Sequence, residues 1–280
     1  APPLAIELGE RFAAAGYDLA LVGGSVRDLI LRRPHTDLDF TTDARPEQTE
    51  EILHGWADAE WDVGRAFGTI GARHGDHVVE VTTYRSEAYD RSSRKPDVVY
   101  GDTLHDDLVR RDFTVNAMAL ALPSLEFVDP YGGLADLASG RLRTPGTPED
   151  SFSDDPLRMM RAARFAAQLG FEVAPEVQTA MRDMADRLSI VSAERVRDEL
   201  TKLLLSDDPR KGLTLLVDTG LADVVLPELP ALQLEVDEHH RHKDVYEHTL
   251  IVLEQAIALE GGDVPGPDLV LRLAALLHDI

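Results

Sequence analysis

Apolar and polar positions in the first half of the chain follow two different periods. Residues 4–15 repeat apolar side chains at helical spacing and end at Gly16, which predicts a helix. Shorter apolar runs bounded by glycine and polar residues predict strands. The predicted strands are residues 17–24, residues 38–42 and the two sides of a turn at HGDH (74–77) within 61–85. Helices are predicted at 25–32, with Ser25 as the cap, and after Pro46.

From about residue 140 the strand period ends and helical spacing continues. Proline or serine opens several of these segments, and glycine interrupts them. The predicted helical segments are 155–171, 174–188, 192–205, 208–225, 244–260 and 268–279. The sequence therefore predicts an α+β protein, with an N-terminal mixed sheet followed by an all-helical remainder. The last segment has no stop signal, so we expect the chain to continue.

Composition narrows the class of protein. With 280 residues and 44% hydrophobic content, the chain is large enough to bury a core. It has no apolar run of bilayer length and no signal-peptide pattern, so we expect a cytoplasmic protein with no membrane partner. The absence of cysteine excludes disulfides and thiolate metal sites. The net charge of −23 argues against extensive duplex binding, but it permits contact with one RNA end and with divalent cations.

The first candidate for chemistry is the segment LVGGSVRD at residues 21–28. Gly23 and Gly24 stand between a predicted strand and a predicted helix, where backbone without a side chain can approach a phosphate. Arg27 lies about one turn into the helix, and its guanidinium could bind a triphosphate. The alternative is an ordinary tight turn with Arg27 on a solvated face.

The second candidate is a set of three carboxylates. Asp37 and Asp39 are two apart on a predicted strand, so both point to one side of the sheet. Glu80 stands in an otherwise apolar strand, where a lone carboxylate is costly unless it is paired or binds a metal. If the two strands are neighbours, the three carboxylates converge and could hold Mg²⁺. The alternatives are two solvated aspartates and a Glu80 that points to the other face.

Several segments together resemble one protein family. The stretch from GGSVRD (23–28) to DLDFTT (37–42) is similar to the first motif of the polymerase-β-type nucleotidyltransferases, in the branch of bacterial class II CCA-adding enzymes and poly(A) polymerases. The later segments resemble the rest of that pattern in order. They are RRDFTVNAMA (110–119), DPYGGLADL (129–137), DDPLRMMRAARFAAQLGF (154–171) and ERVRDELTKLL (194–204).

The resemblance implies a division of the chain and a chemistry for the first part. It implies a catalytic head at 1–140, a helical neck with nucleotide-selecting and RNA-binding helices at 141–228, and the start of an HD-type domain at 229–280. It implies Mg²⁺ on Asp37 and Asp39, with Glu80 completing the acidic site. It also implies Arg111 as a nucleotide contact, and we extend ribose contacts to Asp112 and Asn116. Without the resemblance, Arg111 and Asp112 would be interpreted as a charged helix end and Asn116 as a structural asparagine.

The segment after residue 153 carries a periodic set of charges. Asp155, Arg158, Arg161 and Arg164 recur every three residues, which predicts a drifting stripe on one helix. The resemblance implies that matching residues select ATP and CTP. The usual motif opens with Glu-Asp, whereas this chain has Asp154 before Asp155. From spacing alone, an ordinary salt-bridged helix face would explain the stripe.

Further segments concern the nucleotides that are added and a possible second metal site. A polar loop at 86–98 carries Asp90 and Arg94, which match residues of a flexible loop that is shortened in family members adding only the two cytidines. A single Arg after the VG at 63–64 weakly favours CCA addition over poly(A) addition. The pattern near the end of the chain resembles an incomplete HD domain, in which three residues could hold a transition metal. The candidate HD ligands are His248, His278 and Asp279, whereas His239, His240 and His242 are predicted to lie in a solvated loop.

These observations favour a nucleotidyltransferase that adds C, C and A to the tRNA 3′ end from CTP and ATP, without a template and with release of pyrophosphate. Asp155 and Arg158 would select the base. An A-adding enzyme or a poly(A) polymerase would use the same chemistry. A metal-dependent HD-type phosphohydrolase with a nucleotide-sensing head is an alternative of another class, and a non-catalytic RNA-binding relic is a third.

Overall fold

The computed structural model describes residues 2–33, 37–86, 99–101, 103–234, 245–261 and 266–280. The chain forms two compact units. Unit 1 comprises Ala1–Ser139 and Arg143–Gly146, and unit 2 comprises Gly140–Leu142 and Thr147–Ile280. None of the helices in the described ranges has the length and apolar content that a bilayer crossing requires.

Unit 1 combines five helices with the strands of a mixed sheet among its described residues. The helices are α1 (Pro3–Ala14), α2 (Gly24–Ile30), α3 (Pro46–Leu53), α4 (Leu104–Val109) and α5 (Gly133–Ser139). The strands are β1 (Leu19–Val22), β2 (Asp37–Thr42), β3 (Ala59–Trp61), β4 (Thr69–His74), β5 (His77–Thr83), β6 (Arg85–Ser86), β7 (Val99–Tyr100), β8 (Ala119–Leu122) and β9 (Phe127–Val128). Short 3₁₀ segments occur at Arg65–Phe67 and Thr114–Asn116.

Seven strands form one sheet in the order β3-β4-β5-β2-β1-β8-β9, while β6 pairs with β7. Strands β2 and β5 are parallel, and the other neighbouring pairs of the large sheet are antiparallel. This mixed sheet with segregated helices confirms the predicted α+β class. The predicted helix over 4–15 and the strands around HGDH agree with α1, β4 and β5.

The two faces of the sheet differ in chemistry. Leu21, Phe40, Val81 and Ile70 are in register across β1, β2, β5 and β4, and all four are almost completely buried. Helices α1 and α3 contact strands of this sheet. Because side chains alternate along a strand, the residues between these apolar positions point to the opposite face. The opposite face of β2 and β5 therefore carries the Asp39 and Glu80 side chains.

Unit 2 is mainly helical. Its helices are α6 (Pro148–Asp154), α7 (Leu157–Leu169), α8 (Pro175–Met184), α9 (Ala193–Leu204), α10 (Pro209–Asp218), α11 (Ala222–Val225), α12 (Glu228–Ala231), α13 (Val245–Leu259) and α14 (Leu269–Leu276). Helix α7 packs against both α9 and α10, and α13 packs against α14. Two 3₁₀ segments occur at Ala185–Ile190 and Leu232–Leu234.

Unit 2 differs from the prediction in several places. It is not wholly helical, because Arg141–Leu142 (β10) pairs in parallel with Glu172–Val173 (β11), and two-residue strands show no period in a sequence. Helices α6 and α12 were not predicted. The predicted segment 208–225 is two helices, because Gly220 adopts φ of 75° after α10 ends. The predicted three-part division of the chain stays a prediction.

Candidate active site

Three acidic side chains lie on one face of the unit 1 sheet. Asp37 and Asp39 are exposed on β2, whereas Leu38 between them is buried. Strand β5 runs parallel to β2 with Glu80 in register with Asp39. Paired strands lie roughly 5 Å apart, and side chains in register point to the same side, so these two carboxyl groups are neighbours. This register excludes the alternative in which Glu80 points away from the aspartates.

Burial and charge both act on Glu80. Burial raises the pKa of the Glu80 carboxyl, and the negative charges of Asp39 and Asp37 raise it further. Carboxylates this close repel one another unless a proton or a cation lies among them. Adjacent carboxylate oxygens are hard ligands of the kind that Mg²⁺ takes, so the donor set fits a magnesium ion.

A glycine turn joins β1 to α2 beside these carboxylates. Gly23 has φ of 69°, a conformation that other residues rarely adopt. A Cβ built on Gly23 would lie 3.0 Å from Arg111 Nη1 and 3.8 Å from Asp39 Oδ2. Arg111 in turn donates from Nη2 to Asp107 Oδ2 at 2.9 Å. The turn therefore places bare backbone next to a fixed cation, as binding of a phosphate group would require.

Ser25 connects the glycine turn to the aspartate strand. The N-cap of α2 is Gly23, so the prediction that Ser25 caps this helix is wrong. Instead, the Ser25 hydroxyl accepts from the Asp39 N–H at 2.9 Å and donates to the Asp37 carbonyl at 3.3 Å. Ser25 therefore fixes the backbone of both aspartates. A small hydroxyl residue directly after the glycine pair was the only sequence signal for this role.

Arg27 belongs to a buried polar network. Its Nη1 donates to Asn116 Oδ1 at 2.7 Å, and its Nε and Nη2 donate to the Asp28 carboxylate at 2.9 and 3.0 Å. Asn116 Nδ2 donates to Asp112 Oδ1 at 2.9 Å. The network holds the Arg27 guanidinium next to Gly24, near the start of α2. The phosphate contact of Arg27 and the ribose contacts of Asp112 and Asn116 stay predictions.

The DPYGGLADL segment (129–137) fixes the position of Asn116 in this network. Asp129 accepts from the N–H groups of Gly133 and Leu134 at the start of α5. Asp136 then accepts from the Thr114 hydroxyl at 2.6 Å, which fixes the 3₁₀ segment that ends at Asn116. A Cβ on Gly133 would overlap the Thr114 carbonyl, so this close approach requires glycine. The segment therefore acts as a support for Asn116.

The cavity found in unit 1 lies at the β3 edge of the sheet. It measures about 500 Å³, and Trp61 and the buried Ile70 are among the residues that line it. Five carboxylates also line it, namely Glu47, Glu50, Glu51, Glu60 and Asp62. Like charges would repel a triphosphate, so this cavity is unsuited to the triphosphate group of a nucleotide.

Within unit 2, Asp155 and Arg158 are close in sequence but belong to different local structures. Asp155 adopts an extended conformation after α6, and Pro156 precedes α7, so the expected helical stripe that includes Asp155 is wrong. Proline disfavours a helical conformation in the residue before it. Asp155 Oδ1 accepts from the Leu157 N–H, and Oδ2 accepts from Arg195 at 2.7 Å. Arg158 Nη1 donates to the Ser151 hydroxyl at 2.9 Å.

The other two arginines of the predicted stripe lie along α7 and approach one carboxylate. Arg164 Nε donates to Glu199 Oε2 at 2.6 Å in the interior of unit 2, and Arg161 Nη1 lies 3.8 Å from Glu199 Oε1. The Arg164 guanidinium also lies over the Phe165 ring, 4.1 Å from its centroid. These contacts join α7 to α9. The predicted nucleotide contacts of Arg161 and Arg164 stay predictions.

A second cluster of possible metal ligands is formed by α13 and the residues after α14. His248, His278 and Asp279 place ligand atoms within 4.8 Å of one another. His278 Nε2 is 3.1 Å from Asp279 Oδ2 and 3.5 Å from His248 Nε2. The other His278 nitrogen, Nδ1, is 2.7 Å from the Ala275 carbonyl. Donation from Nδ1 would leave Nε2 as the ligand atom, which is how metal-binding histidines are commonly oriented.

Some predicted residues lie outside the part of the chain that the structure describes. Asp90 and Arg94 fall in this group, as do His239, His240 and His242. Asp154, the residue that departs from the usual motif, is described and is the last residue of α6.

Two family models match the chain. The Poly A polymerase head domain matches residues 19–143, and the model described as "Probable RNA and SrmB- binding site of polymerase A" matches residues 170–232. The first match contains the three carboxylates, the glycine turn and the Arg27 network. The second begins at the end of α7 and reaches the segment after α12.

Curated relatives and solved structures agree with these matches. The CCA-adding enzyme of Lactobacillus gasseri is 38% identical over 222 residues, and that of Lactiplantibacillus plantarum is 41% identical over 213 residues. These alignments cover 79% and 76% of this chain but 54% and 51% of the relatives, so the chain spans about half the length of the curated relatives it matches.

The solved structures extend the similarity over almost the whole chain. The Bacillus stearothermophilus CCA-adding enzyme in complex with CTP is 32% identical, with a TM-score of 0.74. The match covers 99% of this chain and 66% of that one. A tRNA nucleotidyltransferase complexed with a primer tRNA and an incoming ATP analog is 25% identical, with a TM-score of 0.66, and the match covers 95% of this chain and 82% of that one. The chain therefore belongs to the family of poly(A) polymerases and CCA-adding tRNA nucleotidyltransferases.

Proposed function

We propose that this protein adds C, C and A to the 3′ end of tRNA, using CTP and ATP and releasing pyrophosphate. The observation that carries the proposal is the register of Asp39 with Glu80, beside a glycine turn that faces Arg111. The relatives named CCA-adding enzymes, one of them solved with CTP, favour CCA as the product. We also propose that the protein acts in the cytoplasm.

The triphosphate would bind at the glycine turn. The bare backbone of Gly23 and Gly24 permits close approach of phosphate oxygens, and Arg111 supplies a positive charge there. Arg27 contributes from within its network, and Asp112 and Asn116 are the proposed ribose contacts. Because these groups are fixed by protein hydrogen bonds before a nucleotide arrives, little reorganisation is needed on binding.

The chemical step forms one bond and breaks another. The oxygen of the RNA 3′-hydroxyl attacks the α-phosphorus of the nucleotide, and the bond from that phosphorus to the bridging oxygen of pyrophosphate breaks. Glu80 accepts the hydroxyl proton, a role favoured by the raised pKa of its carboxyl. Asp37 and Asp39 would hold Mg²⁺, which supplies neutralisation of the phosphate charge when bound.

Base selection is proposed for unit 2. Asp155 offers carboxylate acceptors and Arg158 offers guanidinium donors, which is the pair of functions that hydrogen bonding to the edge of a base requires. Arg195 holds the Asp155 carboxylate and Ser151 holds Arg158, so both side chains have fixed partners. We further propose that residues 141–228 form the helical neck, which contacts the RNA.

A second candidate function rests on the cluster of His248, His278 and Asp279. Two imidazoles and a carboxylate within 4.8 Å fit a transition metal, and such a site could support phosphoester hydrolysis. We propose that residues 229–280 form the beginning of an HD-type domain on this basis.

Sequencing of RNA 3′ ends after reaction tests the main proposal. The full chain would be incubated with Mg²⁺, ATP and CTP on tRNA that lacks CCA, on tRNA that ends in CC and on an unrelated short RNA. We expect growth of the first substrate to CCA followed by a stop, and loss of growth in Asp37→Ala and Asp39→Ala. Extension of only the second would establish an A-adding enzyme, and long tails on the unrelated RNA would establish a poly(A) polymerase. No extension would favour the hydrolase.

A further inference from the structure

A tryptophan lies on the carboxylate face of the sheet. Trp61 on β3 is in register with Gly71 on β4, and Gly71 is in register with Glu80 on β5. Because residues in register point to the same side, Trp61 shares the face of Glu80. A Cβ built on Gly71 would overlap Nε1 and Cε2 of the Trp61 indole. The indole therefore occupies the space that a side chain at position 71 would fill.

This arrangement brings an aromatic surface next to the third carboxylate. The side-chain positions of directly paired residues are roughly 5 Å apart, so the indole over Gly71 lies beside the position of Glu80 on the next strand. A larger residue at position 71 would separate them. Gly71 is buried under the ring, whereas Trp61 itself is only partly buried and keeps surface available for contact.

The order of strands places Trp61 relative to the other parts of the proposed site. Gly23, in the turn proposed to bind the triphosphate, follows β1. The neighbouring strand β2 carries the aspartates, and β5 beyond it carries Glu80. Trp61 therefore lies beyond Glu80, on the side away from Gly23. The attacking hydroxyl and the triphosphate must approach the carboxylates from opposite sides for an in-line displacement.

We infer that Trp61 binds the 3′-terminal nucleotide of the acceptor RNA by stacking, and so positions the attacking hydroxyl beside Glu80. This inference rests on the proposed function. The ligand is an unpaired nucleotide at an RNA 3′ end, whose base or ribose presents a flat or apolar surface to the indole. Stacking tolerates any base, which suits an acceptor whose last nucleotide changes after each addition.

Steady-state kinetics of the full chain test the inference. Stacking of one base on an aromatic side chain contributes enough affinity for Trp61→Ala to raise the KM for acceptor tRNA about tenfold. The KM for CTP is expected to change less than about twofold, because the triphosphate side of the site is intact. Trp61→Phe keeps an aromatic face and is expected to restore most of the acceptor affinity. Equal changes in both KM values, or a lowered melting temperature alone, would show a merely structural tryptophan.

Gly71 provides an independent variant. The added Cβ in Gly71→Ala displaces the indole, so this change is expected to raise the acceptor KM as Trp61→Ala does. The double variant is expected to be no worse than either single variant, because both remove one contact. Additive effects would contradict the inference. The double variant also relieves the overlap, which keeps the test valid if Gly71→Ala alone fails to fold.

Fluorescence separates this inference from the proposed function, because it needs no turnover. A single-stranded RNA that ends in cytidine, without nucleotide, is expected to quench the wild-type protein more than Trp61→Phe. Such quenching without nucleotide transfer would support the contact between RNA and Trp61 and contradict the proposed reaction. Nucleotide transfer with identical quenching in the two proteins would retain the reaction and reject the role of Trp61.

Discussion

Asp39 and Glu80 are direct register partners on the parallel strands β2 and β5, and they are 41 residues apart in the sequence. The third carboxylate, Asp37, follows from the two-residue period of β2. The position of β5 next to β2 therefore creates the acidic site.

Gly23→Ala is expected to weaken nucleotide binding specifically. The new Cβ would lie 3.0 Å from Arg111 Nη1, and φ of 69° is unfavourable for alanine by about 1 kcal/mol. Gly16→Ala is the matched control, since Gly16 has φ of 85° but no neighbouring atom within 4 Å of a Cβ. Both variants should lose similar stability, whereas only Gly23→Ala should raise the KM for CTP, by about tenfold. An equal KM in both variants would argue against a phosphate contact at Gly23.

Glu199→Gln is expected to destabilise unit 2 by about 3 kcal/mol. Glu199 is buried with the Arg164 guanidinium, and removal of its charge breaks this buried ion pair. Glu194→Gln on the exposed surface of the same helix is the control, with an expected change below about 1 kcal/mol. Urea unfolding monitored by circular dichroism measures both. A small loss in Glu199→Gln would mean that the pair does not hold α7 to α9.

Stability of unit 2 should depend on Glu260 in acid. Its hydrogen bonds from the Arg272 guanidinium lower the pKa of the Glu260 carboxyl from 4.5 to about 2. A lowered pKa in the folded state means that the carboxylate stabilises the fold above the unfolded pKa, by roughly 2 to 3 kcal/mol here. The difference in the free energy of unfolding between wild type and Glu260→Gln should therefore be complete at pH 7, shrink below about pH 4.5 and vanish only below about pH 2.

The control for this acid dependence is the half-exposed Glu254, whose ion pair with Arg210 is screened by solvent. Glu254→Gln should change the free energy of unfolding by less than about 1 kcal/mol at any pH. Unfolding by urea at a series of pH values gives both differences. A Glu260 effect that persists unchanged into strong acid would show that packing, and not charge, stabilises this contact.

Transition-metal binding is expected at His248. Mn²⁺ or Zn²⁺ should raise the melting temperature of the full chain, because an ion that binds only the folded state stabilises it. His248→Ala removes one of three ligand atoms that lie within 4.8 Å and should abolish the shift. His54→Ala is the control, since the His54 side chain is 87% exposed and should not contribute. A metal-induced shift that survives in His248→Ala would reject this site.

The sequence predicted those parts of the site that depend on local pattern. The strand before Gly23, the helix after it and the shared face of Asp37 and Asp39 each follow from residue type and period. The approach of Glu80 depends on strand order, which sequence spacing left open, and the structure supplies it. The family resemblance added Arg111, which lies beside Gly23 in the structure.

Other features of the structure could not be predicted, because they leave no periodic pattern of residues in the sequence. The hydrogen bonds of Ser25 to the aspartate strand arise from two elements that cross, and one serine carries no mark of this. The two-residue strands β10 and β11 are too short to show alternation. The extended conformation of Asp155 follows from Pro156, whose effect was outweighed in the prediction by the three-residue spacing of charges.

The measurement that tests the central claim most directly is the rate of CMP addition to tRNA by Glu80→Gln, compared with Asp76→Asn. Both changes remove one exposed carboxylate, but Asp76 lies in the turn between β4 and β5, away from the register of Asp39. We predict that Glu80→Gln lowers kcat at least about a hundredfold, because it removes the proposed base from the acidic site. Its melting temperature should not fall, since repulsion from Asp39 is relieved. A kcat close to that of Asp76→Asn would contradict the assignment of the carboxylate face as the active site.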